Sequence, residues 1–470
     1  MVIDSLEPPK YALQKTASRC HRISMFRAGI DALLPGGQLR DFVLKGASWT
    51  LVGFGAQSIM RLGSSLILTR ILVPEAFGLM ALATVLVAGM ALLSDLGVHA
   101  SVVRSNEGDD PVYLQTAWTI QVLRGLAIAI VVTVAAYPVS LLYDEPQLAA
   151  LMPVLSLTAV LGGFVSISLA IETRHHRLGR VTILELGSQF LGILATVLAS
   201  WWFQSVWGLA VGAVIGAGLK AGLSYLMLPA FNHRWNLDRD ATREIIRFGR
   251  WILLGTFLGF VAGRGSQAVQ GILVPLDILG LLVIAANLAW LPGDVIQRVL
   301  NAAVFPAFTR VVRERPGDLS RVITRTQIVL VTLLLPIFVL IAVLSQWIVD
   351  LLYDPRYSEA GAFMTIMALN GAVSVLPLVQ MSAILALGDS RTHAGLSFVF
   401  SVARVGAIFA GFYVGGVYGI LLAAGLSRVF LTLVTNAVSY QRGISTVFVD
   451  TCALGALGLA YLAIVPGIIP

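Results

Sequence analysis

Twelve stretches of the chain are each about 20 mostly apolar residues long, the length a helix needs to cross the hydrocarbon core of a bilayer. They run over roughly 46–68, 77–99, 116–140, 148–171, 181–201, 206–229, 249–272, 277–302, 327–349, 360–386, 394–413 and 415–437. A thirteenth, 445–467, is also long enough, and leaves the choice among 12, 13 and 14 spans open. Backbone in lipid must satisfy its own hydrogen bonds, so stretches of this length predict helices. The fold class is an all-α polytopic membrane protein. Composition agrees: 57% of the 470 residues are hydrophobic and 12% charged, against about 25% charged in soluble domains. Such a chain cannot wrap itself in water, which excludes a soluble enzyme. Cys20 and Cys452 are too few and too far apart for a disulfide scaffold, and no Cys/His cluster suggests a metal site.

The charges orient the spans. The first 40 residues, the loops after even-numbered spans and the segment after span 12 hold 23 of the 32 Lys and Arg; the opposite loops hold Arg70 and Arg356, and seven lie within spans. The positive-inside rule places the N-terminus in the cytoplasm. Residues 1–40 lack the apolar core of a signal peptide. They read as a basic tail, either disordered or carrying an interfacial helix around Ser24–Leu34. No loop is long enough to be a separate soluble domain.

The chain also repeats itself. Trp49 matches Trp251, Ile71-Leu72-Val73-Pro74 matches Ile272-Leu273-Val274-Pro275, and Gly78-Leu79-Met80 matches Gly280-Leu281-Leu282. Leu141-Leu142-Tyr143-Asp144 returns as Leu351-Leu352-Tyr353-Asp354, and Val206 and Gly208 return as Val417 and Gly419. Each half holds an even number of spans, so the two enter the membrane the same way round, as a parallel repeat about an axis along the membrane normal. The predicted organisation is a basic cytoplasmic tail (1–40), a six-helix bundle (41–231), a cytoplasmic linker (232–248), a second six-helix bundle (249–440) and a segment (441–470) with room for one more helix. Two such bundles enclosing a site at their interface are transporter architecture. Pro153, Pro292, Pro336 and Pro377 lie inside spans and predict kinks. Gly208, Gly212 and Gly216 form a stripe suited to close helix packing.

Ionisable side chains within spans are costly and mark cavities or partners. Asp95, Glu185, Asp294 and Arg298 fall near cytoplasmic ends, where water reaches them, and Asp294 and Arg298, four residues apart, are spaced to pair. Arg61 and Arg264 occupy nearly equivalent places in spans 1 and 7. Arg124 lies in span 3, Lys220 deep in span 6, and Arg404 and Arg428 deep in spans 11 and 12. No comparable set of central carboxylates neutralises them, so the spacing predicts a positive cavity for an anionic cargo. Arginine's planar fork suits phosphate oxygens. For any one of these residues a structural role, on backbone carbonyls or an end carboxylate, is equally expected; for the whole set it is not.

The run Leu68-Thr69-Arg70-Ile71-Leu72-Val73-Pro74-Glu75-Ala76-Phe77-Gly78-Leu79-Met80-Ala81-Leu82-Ala83, followed by Leu93-Ser94-Asp95-Leu96-Gly97, resembles the first-half signature of the polysaccharide transporters. These belong to the multidrug/oligosaccharidyl-lipid/polysaccharide flippase superfamily. Phe248-Gly249-Arg250-Trp251 and Phe305-Pro306-Ala307-Phe308-Thr309-Arg310 resemble its second-half landmarks. The resemblance covers residues 41–440. It implies a bacterial inner-membrane flippase moving an undecaprenyl-pyrophosphate-linked oligosaccharide repeat unit outward for surface or exopolysaccharide synthesis, with polysaccharide polymerase and export machinery as partners. It implies no cofactor, no metal, no catalytic residue and no nucleic acid. Many relatives carry an acidic–basic pair where this chain has Ser266-Gln267, so that pair's role does not carry over. Substrate-binding candidates are Arg61, Arg264, Arg124, Lys220, Arg404 and Arg428; Asp95, Glu185 and Asp294 are the first candidates for ion coupling. A lipid II flippase is the alternative. A cation-coupled multidrug antiporter calls for deep carboxylates where this chain has arginines, and a membrane-embedded polysaccharide-modifying enzyme finds no outer loop long enough for its site.

Overall fold

The computed structural model describes residues 37–467 except 93, 95, 264 and 445. The expected interfacial helix at Ser24–Leu34 and nearly all of the tail lie outside the described residues, as do Arg264 and Asp95. The chain divides into two compact units, Met1–Trp49 and Thr50–Pro470; the second carries everything that follows. Among the described residues there are helices and no strand.

In the first half, α1 (Gly37–Ile71) stops at a Val-Pro turn, and α2 (Pro74–Leu92) opens with proline, whose fixed φ and missing N–H suit a first helical position. A short α3 (Val98–Arg104) leads to α4 (Pro111–Leu142), capped by the Asp110 carboxylate accepting from the Tyr113 N–H at 2.9 Å. α5 (Gln147–Gly163) and α6 (Ser168–Arg174) form one span bent by 57°. α7 (Leu178–Phe203) and α8 (Val206–Met227) pack most closely of all. The glycine stripe explains this: a Cβ at Gly208 would lie 2.4 Å from Ser200 Cα, and one at Gly212 2.3 Å from Thr196 Cα. Any larger residue would force the pair apart.

The second half repeats the plan. α9 (Arg239–Gly263) and α10 (Gly265–Leu273) make up span 7. Span 8 is not one helix: α11 (Leu276–Ala289) and α12 (Leu291–Val299) meet at 48°, and a π-turn (Leu300–Val304) joins them to α13 (Phe305–Glu314). Of the four interior prolines, Pro292 marks this break, whereas Pro153, Pro336 and Pro377 sit within α5, α14 (Leu319–Leu352) and α15 (Ala360–Ala386), whose hydrogen-bonded helices run on past them. α16 (Ser390–Gln441) holds 52 residues, about 78 Å of helix at 1.5 Å each, too long for one crossing. Gly415 (φ −151°) and Gly416 (φ +56°) break it into the two expected spans. Gly416 has the left-handed backbone that glycine adopts without strain. Last comes α17 (Val447–Ile464), the thirteenth stretch, which is helical and packs on α14, α15 and α16.

The repeat is visible as a contact. At the predicted outer end, a Cβ on Gly78 would lie 1.9 Å from the Leu276 carbonyl oxygen, and one on Gly280 would lie 1.9 Å from the Pro74 carbonyl oxygen. Positions equivalent by sequence touch reciprocally, as a two-fold axis between α2 and α11 requires. More bonds cross there. Tyr357 donates to the Leu72 carbonyl at 2.7 Å, and Tyr143 to the Ala268 carbonyl at 3.2 Å. One apolar core, including Leu79, Leu82, Leu151, Leu279, Leu282, Met364 and Ile420, runs across both halves.

Candidate functional site

Polar side chains converge on a cavity of about 610 Å³ between α1, α7 and α8, reached from the other half by Arg298 of α12. The backbone makes room for it: Gly192, Gly212 and Gly216 leave the facing surfaces of α7 and α8 without side chains. Into that space come Gln57, Gln189, Glu185 and Lys220. Gln57 donates to Glu185 at 3.4 Å, and Gln189 donates to the Gln57 carbonyl at 3.0 Å, which fixes the two amides.

Phe54 ties this cavity to the charges. Its ring lies 3.9 Å from the Arg298 guanidinium and 5.9 Å from that of Arg61, so arginines from the two halves share one aromatic ring. Arg61 also donates to Ser58 at 3.2 Å. Arg61, Arg298 and Lys220 thus gather around a single carboxylate, Glu185.

A second basic cluster belongs to α16. Arg404 and Arg428 are both buried, with only 9% of each exposed, and each feels the other's charge. Arg428 donates to the Asn370 carbonyl at 2.8 Å and lies 5.7 Å from the Trp290 ring. Arg404 sits 6.0 Å from Phe400, and its Nε has no hydrogen-bond partner. Trp290 stands at the break in span 8 and Arg298 eight residues on, so α12 bridges the two clusters over about 12 Å.

The remaining candidates divide. Arg124 is committed to the end of α2, donating to the Ala91 carbonyl at 2.8 Å and Ser94 Oγ at 3.3 Å, away from the cavity lining. Lys220 and Glu185 line the cavity. Asp294 is exposed, on the first turn of α12. Arg298, which its spacing assigns to Asp294, lies over Phe54 instead. Helical spacing cannot see an aromatic ring two hundred residues away, so sequence reasoning undervalued Arg298. It also passed over Asp450 of α17, a carboxylate with no exposed surface.

A family model described as "polysaccharide biosynthesis protein" matches residues 67–362, well over half of the chain. The lipopolysaccharide biosynthesis protein WzxC of Escherichia coli (strain K12) is 19% identical over 407 residues, covering 86% of this chain and 81% of its own. The succinoglycan biosynthesis transport protein ExoT of Rhizobium meliloti (strain 1021) is 21% identical over 371 residues, covering 78% and 74%. Among solved structures, the lipid II flippase MurJ in an inward closed conformation superposes with a TM-score of 0.68 at 13% identity, over 88% of this chain and 92% of that one. An inward-facing multidrug resistance MATE family transporter superposes at 0.64 and 13%, over 81% and 93%. At these identities the structures share the fold.

Proposed function

The chain belongs to the polysaccharide biosynthesis protein family, and we propose that within it this protein is a flippase for a polyprenyl-pyrophosphate-linked oligosaccharide in the bacterial inner membrane, working by alternating access. The observation that carries this reading is the joining of Arg61, Arg298 and Lys220 around one carboxylate, with the buried pair Arg404 and Arg428 one broken helix away. Two basic clusters separated by about 12 Å of helix fit an anionic head that is handed on as the halves rock. Arginine grips phosphate oxygens in pairs, while the amides of Gln57 and Gln189 offer the neutral donors and acceptors that sugar hydroxyls need. Arg264, the repeat counterpart of Arg61, and Arg124 complete the set proposed from sequence, Arg124 as a support for α2.

The relatives named for lipopolysaccharide and succinoglycan synthesis support the cargo class. The N-terminus is proposed to be cytoplasmic, by the loop charges. The test is complementation of a strain whose own repeat-unit flippase is deleted. Arg298→Ala and Arg404→Ala, accumulated at wild-type level, should abolish surface polysaccharide and leave lipid-linked repeat units on the cytoplasmic leaflet. Lysine at either position should restore only part, since it keeps the charge and loses the fork. Normal surface polysaccharide in both alanine variants refutes the reading.

A further inference from the structure

The inner ends of α14, α15, α16 and α17 enclose a polar cluster that the proposed cargo path does not use. Asp450, on the first turn of α17, has no exposed surface, and neither do Gln327 of α14 and Gln380 of α15. Gln327 Nε2 lies 2.6 Å from Asp450 Oδ1, and Gln380 Nε2 lies 2.6 Å from Asp450 Oδ2. Gln380 Nε2 is also 2.7 Å from Asn436 Oδ1 of α16 and 2.8 Å from Thr446 Oγ1, the residue that precedes α17. The side-chain oxygens of Gln327 and Gln380 have no partner at all.

These contacts do not close as drawn with an ionised carboxylate. An amide nitrogen carries two protons, yet Gln380 Nε2 faces three oxygens, so one contact has no hydrogen in it. Turning the amide over, an orientation that heavy-atom positions alone do not distinguish, puts its oxygen against Asn436, Thr446 and Asp450. Asn436 can then present its NH₂ and Thr446 its hydroxyl. Asp450 completes the set only if its own Oδ2 bears a proton. The surroundings also favour the neutral form. α14, α15 and α16 turn Gln327, Gln380 and Asn436 toward the carboxyl and Thr446 adds a hydroxyl; all four are uncharged, and no charged side chain among the described residues acts on it. A buried carboxylate without a cationic partner is costly.

We propose that Asp450, with Gln380, Asn436, Thr446 and Gln327, is a proton-binding site. One proton from the predicted cytoplasmic side forms an O–H bond on Asp450, and nothing else is made or broken. The site is sealed by the packing of four helix ends, so the proton leaves only when α17 and its neighbours loosen, which ties occupancy to their arrangement.

The test uses the full chain in lipid and reads proton binding, so its outcome is independent of whether the cargo is a lipid-linked saccharide. Infrared difference spectra over a pH titration should show the carbonyl stretch of a protonated buried carboxyl, shifting in D₂O and lost in Asp450→Asn. Because asparagine mimics the neutral acid in shape, Asp450→Asn should accumulate and melt as the wild type does. Absence of an Asp450-dependent band at every pH overturns the proposal. So does failure of Asp450→Asn to accumulate, since a site built for a neutral carboxyl accepts its isostere. Stabilisation of the wild type by sodium chloride over choline chloride, lost in Asp450→Asn, also overturns it and assigns the site to sodium.

Discussion

Gly78→Ala, Gly280→Ala and the double variant should open the predicted outer end. Each new Cβ would stand 1.9 Å from a backbone carbonyl oxygen of the other half, where real Cβ contacts essentially never come within 3.0 Å. α2 and α11 must therefore part locally by about 1 Å, and overpacking of this kind costs about 1–3 kcal/mol. Alanine also raises helix propensity by about 1 kcal/mol, but that gain is common to every state in which the helices persist and cancels from the balance between them. Only the clash is specific to the sealed arrangement. A bias of 1–3 kcal/mol moves a two-state ratio by about 5–150-fold. The two lesions are relieved by the same separation, so the double variant should shift the ratio little more than either single one.

Spin labels on Val73→Cys and Ile272→Cys, both exposed at the outer turns, report the separation in a background lacking native cysteines. Double electron–electron resonance should show a longer-distance population growing in each glycine variant. Serine at either glycine, which also carries a Cβ, should behave as alanine does. An unchanged distance distribution in both alanine variants refutes the inference that these reciprocal contacts seal the outer end, because no state-specific clash would then exist.

Three further outcomes are expected. Single cysteines at Asp144 and Asp354 should react with an impermeant thiol reagent added outside whole cells, and one at His176 should react only after permeabilisation; the reverse pattern inverts the topology. His233, in the linker, packs among Trp118, Tyr225 and Phe231, and burial lowers its pKa below 6.5. The unfolded chain therefore binds more protons than the folded one as pH falls through 6.5, so stability should decline on acidification. Melting temperatures of His233→Gln that fall just as steeply would rule this histidine out as the cause. Outward flipping in proteoliposomes should follow the sign of a potassium–valinomycin potential. About 2.3 kcal/mol per 100 mV for each charge gives a doubly charged head on the order of 4–5 kcal/mol, an upper bound if arginines travel with it. Indifference to that sign, with response to an imposed sodium or proton gradient, defeats the proposal.

Spans were legible because bilayer thickness imposes a length, and the repeat was legible because Val-Pro and Gly-Leu pairs recur in order. Breaks were harder to read. Pro292 and Pro377 are alike as sequence, yet one lies at a 48° bend and the other inside a continuous buried helix. Neighbouring helices decide whether the carbonyl freed by proline finds a partner, and that is tertiary information. The cavity was half legible. Lys220 and Arg61 stand out by charge and depth, whereas Arg298 owes its place to Phe54. Asp450 was missed for a different reason: it lies outside the repeat, and its partners Gln327, Gln380 and Asn436 are uncharged, so no pattern of charge announces them. Scanning spans for amides as well as for ionisable groups would have raised it.

The outer seal and the basic clusters have opposite chemistry, and alternating access depends on the difference. The seal is backbone against backbone, with a few neutral hydrogen bonds such as Tyr357 to Leu72 and Tyr143 to Ala268, each contributing about 1 kcal/mol net. Nothing in it recognises cargo, and its strength is small enough for cargo binding to overcome. The clusters change with cargo. Arg61 and Arg298 come from different halves and repel each other across Phe54 when nothing anionic lies between them. A pyrophosphate at that point turns the repulsion into attraction and draws the halves together around it. A ligand moves a conformational equilibrium only by its differential affinity for the two states. Here that differential arises from a charge reversal at one ring, while the glycine contacts at the far end set the threshold it must exceed. If the threshold were a charge network instead, cargo would need several times the differential, and a transporter with this weak a seal would leak less but cycle more slowly.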